Sequence, residues 1–161
     1  MADITGAYCA ETDIERWTQT AIAASTAPTD TEAAAFAVAR ANILSSLCAG
    51  LGFAVTPTTI VAGSRLDVLM GEANAIGAAL DYTIAQQYAV RPSKSDRAKD
   101  LEILWEQYVG DGKVSGFIEK EIKANLVSLS SDQIISGDTM AQPATTAPTD
   151  TGIAVGMGSL F

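Results

Sequence analysis

The 32 residues from Ser130 to Phe161 contain no lysine or arginine and follow neither a helical nor a strand period. That run limits how much of the chain can build a core. Its middle, Thr139-Met-Ala-Gln-Pro-Ala-Thr-Thr-Ala-Pro-Thr-Asp-Thr-Gly152, is small and polar and is broken by Pro143 and Pro148. Such a composition buries too little apolar surface to offset the backbone entropy of ordering it. A fold is therefore expected from residues 1–129, with residues 130–161 as an extended C-terminal interaction arm ordered by another molecule. At about 3.3 Å per residue the arm reaches roughly 100 Å. Its apolar side chains, Ile134, Ile135, Ile153, Val155, Met157, Leu160 and Phe161, are the candidate interface residues. A tail serving only solubility has no use for Leu160 and Phe161. The alternation of Ile153, Val155 and Met157 suits a strand added to a partner's sheet edge.

Residues 1–129 read as helices. Thr12-Asp-Ile-Glu15 has the form of a capping box, a hydroxyl followed three positions later by a carboxylate that reaches back. Ile14, Trp17 and Ala21 then share one face of a helix running to about Ala24, and Ala27-Pro28 breaks it. Thr29-Asp-Thr-Glu32 is a second box. Phe36, Ile43, Leu44, Leu47, Cys48 and Leu51 form an amphipathic stripe behind it, stopped by Gly50 and Gly52. A loop covers residues 53–64. A third helix from about Arg65 to Ala89 presents Leu66, Leu69, Met70, Ala73, Ile76, Gly77, Leu80, Ile84 and Tyr88. Gly71 and Gly77 within it cost about 1 kcal/mol each against alanine, which predicts a close backbone approach by another helix. A fourth helix, residues 95–109, turns Ala98, Leu101, Leu104, Trp105 and Tyr108 inward. Gly110-Asp-Gly-Lys113 is a tight turn. Residues 115–127 form either a short fifth helix through Phe117, Ile118, Ile122 and Leu126 or an extended segment. The expected fold is all-α, a small bundle of four to five helices.

Charge and residue types exclude several functions. The net charge is −9, with three bases against nine acids in residues 1–90, seven of each in residues 91–123, and three acids with no base beyond. No basic patch supports sequence-specific nucleic-acid binding through phosphate neutralisation; an acidic surface serves DNA only where DNA must slide past. Histidine is absent, which removes the commonest general base and metal ligand together. No catalytic, cofactor-binding or metal site is expected, and no cofactor. Cys9 and Cys48 read as reduced, partly buried thiols in a cytosolic product. The start, Met1-Ala-Asp-Ile, lacks the basic residue of a signal peptide, and the charge-free window from Ala41 to Ser64 is too rich in Gly, Ser, Thr and Pro for a membrane span. A phosphate loop ending at Lys113 would need glycine at Gln107 and a hydroxyl at Val114. Asp100, Glu102, Glu106, Glu119 and Glu121 lie among Arg97, Lys99, Lys120 and Lys123 at helical spacing, as solvated faces do. Trp17, Phe36, Tyr88, Trp105 and Tyr108 fall at inward positions. Thr26-Ala-Pro-Thr-Asp-Thr31 recurs as Thr146-Ala-Pro-Thr-Asp-Thr151, a chance match in a Thr/Ala-rich chain.

The opening Tyr8-Cys-Ala-Glu-Thr-Asp-Ile-Glu15 resembles the start of head–tail connector (head-completion adaptor) proteins of tailed bacteriophages. The Ala-rich helix from Ala33 to Leu51 with the Pro57 loop after it, and the long helix from Leu66 to Tyr88, are similar to theirs. So is the closing Trp105-Glu-Gln-Tyr-Val-Gly-Asp-Gly-Lys-Val114. The resemblance covers residues 8–114. It implies a homo-oligomeric ring, twelvefold, docked beneath the portal at the capsid vertex of a virion and made in the host cytoplasm. Such a ring contacts the portal protein and a downstream stopper or tail-terminator protein, and DNA passes through it. The alternative is a capsid-associated or regulatory helical module whose tail is a linear motif for a soluble partner.

Overall fold

The helices form where capping groups and periodicity coincide. In the computed structural model the chain is described over residues 4–88 and 96–125; the side chain of Tyr88, Leu126 and the whole stretch after it lie outside the described residues. Four helices follow one another, α1 (Glu11–Thr18), α2 (Asp30–Gly50), α3 (Arg65–Tyr88) and α4 (Asp96–Val109), and α5 occupies residues 117–125. The described residues are thus all-α, as expected, and the fifth element is a helix. The chain divides into two units, Met1–Lys123 and Ala124–Phe161, and the helical bundle is the first of these.

α1 departs from its expected bounds. Ala10 is the N-cap, and Asp13 supplies the return half of the cap, its carboxylate accepting the Ala10 N–H at 3.0 Å. Glu15 does not close a box with Thr12; it accepts the Ile22 N–H at 2.7 Å instead. The helix stops at Thr18 rather than near Ala24 because Gln19 turns left-handed, φ +57°, and the Thr18 and Thr20 hydroxyls bond to nearby backbone. Short hydroxyl side chains compete with the helical ladder in this way. Ala21 is consequently exposed in a loop and Ile22 is buried.

The second box forms as predicted: Thr29 Oγ1 accepts the Glu32 N–H and Glu32 accepts the Thr29 N–H at 2.8 Å. The inward face of α2 is not the stripe of large residues. It is Ala33, Ala37, Ala41, Leu44 and Cys48; Phe36 and Leu47 are half-buried and Ile43 is 48% exposed. Alanines let α2 approach α3 closely, and α3 answers with small residues of its own. Gly52, at φ +82°, lets the chain leave the helix while the Phe53 N–H reaches back to the Cys48 carbonyl at 2.9 Å, the usual glycine-assisted ending. By length and composition α2 is apolar enough to cross a membrane (21 residues, mean hydropathy 1.3). In this fold it is a bundle helix carrying Arg40 paired to Asp81.

α3 is the centre of the unit: α1, α2 and α4 all pack on it, and residues 73–80 are buried on every side. A helix apolar all round belongs in such a position. Tyr82 is fully buried and donates to the Pro28 carbonyl at 3.0 Å. Asn74, fully buried, accepts the Tyr8 N–H at 2.7 Å and donates to the Ala37 carbonyl at 2.8 Å. One amide thereby satisfies two backbone groups that would otherwise be costly to bury. The two helix glycines serve different neighbours. A Cβ at Gly71 would stand 3.2 Å from the Tyr8 carbonyl, a close approach of the N-terminal segment; a Cβ at Gly77 would stand 2.5 Å from the Trp105 ring and 2.9 Å from Arg40 Cδ. At Gly77 the expected backbone contact is replaced by a side chain.

Gly77→Ala is expected to destabilise the protein by about 1–3 kcal/mol, because Trp105 and Arg40 must shift. Gly71→Ala should be near neutral, the tight contact being offset by about 1 kcal/mol of helix propensity. Urea denaturation of both variants checks the contrast. Burial pushes the Cys9 thiol up to about 12, with the Asp13 charge adding to it, and burial pushes Cys48 up to about 11. Their folded values lie above the ordinary thiol value of 9.0. Their contribution to stability is therefore complete below pH 9 and lost as pH rises toward 11–12. Denaturation midpoints measured across that range should fall, and Cys48→Ala should flatten the fall.

Candidate protein-interaction surface

Two apolar surfaces stand out. The first is built at the end of α4. Gly110 and Gly112 take positive φ, +98° and +82°, and Gly110 bridges back to Ser115. Within the turn the Asp111 carboxylate accepts the N–H groups of Lys113 at 2.8 Å and Val114 at 2.7 Å. A Cβ at Gly110 would stand 2.8 Å from the Val114 carbonyl, so only glycine lets the turn close so tightly. The turn presents Val114, 64% exposed, beside Ile103 of α4, 56% exposed, and Phe117 of α5, 43% exposed. All three line one open depression with Glu106, Gln107, Asp111, Ser115 and Lys120. Phe117 is exposed rather than buried. As the first residue of α5 it stacks edge-on against Tyr108 at 5.4 Å and keeps its outer face open. Lys120 Nζ lies 5.8 Å from that ring. Ile118 and Ile122, one step round the helix, are buried.

The second surface is an open groove of about 700 Å³ between the N-terminal segment and α2, lined by Ile4, Thr5, Glu11, Asp30, Thr31, Ala34, Ala35, Val38, Ala39 and Asn42. It exists because α2 turns Ala37 and Ala41 toward α3 and leaves Ala35 and Ala39 outside. Its charged members are both acids, Glu11 and Asp30.

The remaining charged groups mostly tie elements together. Arg16 bonds both Glu72 oxygens, at 2.9 and 3.0 Å, and Arg65 pairs with Glu121 at 3.1 Å, joining α3 to α5. Lys99 meets Asp96, and Lys123 meets Glu119 within α5. The carboxylates of α4 and α5 thus form ordinary pairs and solvated faces, though Glu121 reaches across to α3. Arg97 donates to the Trp17 carbonyl, and Trp17 Nε1 and Arg97 Nε are buried without a hydrogen-bond partner among the described residues. No group of three or more His, Cys, Asp or Glu side chains among the described residues is arranged to hold a metal.

The candidate interface residues Ile134, Ile135, Ile153, Val155, Met157, Leu160 and Phe161 all lie outside the described residues. Sequence reasoning misses Ile103 and Val114. Both carry a signal: Ile103 falls on the outer face of α4, opposite Leu101 and Trp105, and Val114 is an apolar residue directly after a polar turn. Compared with protein-family models, curated proteins and solved structures, the chain matches none.

The Asp111 carboxyl is held below the ordinary carboxylate range by the Val114 and Lys113 N–H groups. Its contribution is present at neutral pH and lost as pH falls through that lowered value. Protection of the Lys113 and Val114 amides, taken as exchange relative to the intrinsic rate at each pH, should be present at neutral pH, fall in strong acid, and be lost at all pH values in Asp111→Ala.

Proposed function

We propose that this chain is a structural head–tail connector of a tailed-phage virion, working through geometry without catalysis or cofactor. As an adaptor beneath the portal it joins the DNA-filled capsid to the neck or tail protein that follows. It forms a homo-oligomeric ring, and DNA passes through without being read. The observation that carries the reading is the exposed apolar trio Ile103, Val114 and Phe117. Clustered apolar side chains with a polar rim mark surfaces that meet other proteins. The order of helices in residues 8–114 and the base-poor N-terminal half support it, since an acidic ring lets DNA slide. The C-terminal arm, through Ile134, Ile135, Ile153, Val155, Met157, Leu160 and Phe161, provides the link to a neighbour.

Removal of residues 130–161 tests the arm. The shortened protein is expected to keep its helical circular dichroism and unfolding midpoint while no longer joining isolated capsids or forming rings, as read by light scattering and electron microscopy. Normal assembly by the shortened protein would overturn the arm. A 1:1 complex of the full chain with one soluble partner would replace the connector by a binding module.

A further inference from the structure

The segment ahead of α1 is fastened to the helices through one residue. Of residues 4–9 only Cys9 is buried; Thr5 and Gly6 are exposed, and Ile4, Ala7 and Tyr8 are half-buried. One hydrogen bond is internal to the segment, from the Ala7 N–H to the Ile4 carbonyl at 3.1 Å. Those that reach the rest of the unit, among the described residues, belong to Tyr8. Its N–H donates to Asn74 at 2.7 Å, and its hydroxyl meets Ser45 Oγ at 2.7 Å and the Val55 carbonyl at 3.3 Å. The start of α1 does not need the segment, since the Ala10 N–H is taken locally by Asp13. Nor do the helices beneath it: Asn74 also donates to the Ala37 carbonyl, and Arg40 pairs with Asp81, so α2 and α3 stay joined without it. A segment with little buried apolar surface and one bonded residue opens at a lower cost than the whole fold. Its opening has two consequences. Ile4 and Thr5 leave the α2 groove, of which they are one wall, and the Cys9 thiol is bared.

We propose that residues 4–9 are a strap that opens and closes as a unit about Ala10, with Tyr8 as its latch, so that the α2 groove is complete only in the latched state. The strap is a property of the single chain and stands whether or not copies assemble. Cys9 reports its position, being 7% exposed when the strap is closed. Cys48, fully buried in α2, is not uncovered by the strap and serves as the internal comparison.

The experiment follows labelling of full-length protein by excess Ellman's reagent at mildly alkaline pH, with peptide mass spectrometry to read Cys9 apart from Cys48. Wild type is compared with two latch variants, Tyr8→Phe and Ser45→Ala, and with a core variant, Ile118→Val in α5. Each latch variant removes the hydroxyl contact, so either suffices if the other does not fold. Circular dichroism identifies the folded forms and urea midpoints give their global stability. Wild-type Cys9 is expected to label at least about tenfold faster than Cys48. Loss of the hydroxyl's bonds should raise the Cys9 rate roughly three- to tenfold in either latch variant. Ile118→Val should lower the urea midpoint and leave the Cys9 rate unchanged, because latched and opened forms lose the same core contact. Three results would each overturn the strap: Cys9 labelling no faster than Cys48 in wild type, Cys9 labelling that quickens in Ile118→Val as global stability falls, or a Cys9 rate unmoved by the latch variants.

Discussion

Arg40 occupies the point where three helices meet, and the exterior of the unit follows from it. Its guanidinium binds Asp81 of α3 through Nε at 2.7 Å and Nη2 at 2.6 Å, and its other side lies 4.6 Å from the centroid of Trp105 on α4. Both ionic side chains are largely withdrawn from water, 17% and 26% exposed. Withdrawal of charge is costly unless nearly every donor and acceptor is matched, and the two-pronged pairing with a stacked indole does this. The arrangement exists only because Gly77 has no Cβ; any side chain there would occupy the space of the Trp105 ring and the Arg40 stem. Glycine's helix cost at that position is therefore offset by a junction of α2, α3 and α4.

The rotation of α2 about its own axis is fixed by the same junction. With Arg40 held on Asp81, Ala37 and Ala41 face α3 and Ala35 and Ala39 face out. Asn74 repeats the constraint about one turn of α2 away, holding Ala37's carbonyl on one side and the Tyr8 N–H on the other. Tyr8 is in turn placed by its hydroxyl, which meets Ser45 at 2.7 Å. The N-terminal segment is thus laid beside α2, and Ile4 and Thr5 become one wall of the groove. The acidic groove is a consequence of buried polar bonding rather than of any feature on its own surface.

This is also why the fold is legible in the sequence and the surface is not. The capping box at Thr29 and Glu32, the span of α3 and α4, and the glycine turn at residues 110–113 are local decisions, made by residues close in sequence. The rotation of α2 is not local. A reading that weights large side chains selects Phe36 and Ile43, sharing only Leu44 and Cys48 with the face that packs. The partner helix decides otherwise, because a helix as small-featured as residues 71–79 accepts a neighbour through alanine. The start of α1 is misplaced by pattern alone because Thr12 and Glu15 fit a capping box, whereas Glu15 has a better use 7 residues on, at the Ile22 N–H. Tyr82 and Asn74, whose bonds reach 54 and 66 residues back along the chain, leave no periodic trace. The interface residues assigned to the arm lie outside the described residues, so the sites legible in sequence and those visible in the fold do not overlap.

The corner formed by Ile103, Val114 and Phe117 gains from the way it is held. Val114 is fixed by a turn with two positive-φ glycines and an internal carboxylate, and Phe117 by its edge-on stacking against Tyr108. Side chains already fixed in place lose less freedom on association, so more of the contact energy appears as affinity. The charges around both surfaces are those of Asp, Glu and Lys, and the chain contains no histidine. Association through this corner should accordingly respond to salt, which screens the charges around it, and be nearly indifferent to pH between about 6 and 8.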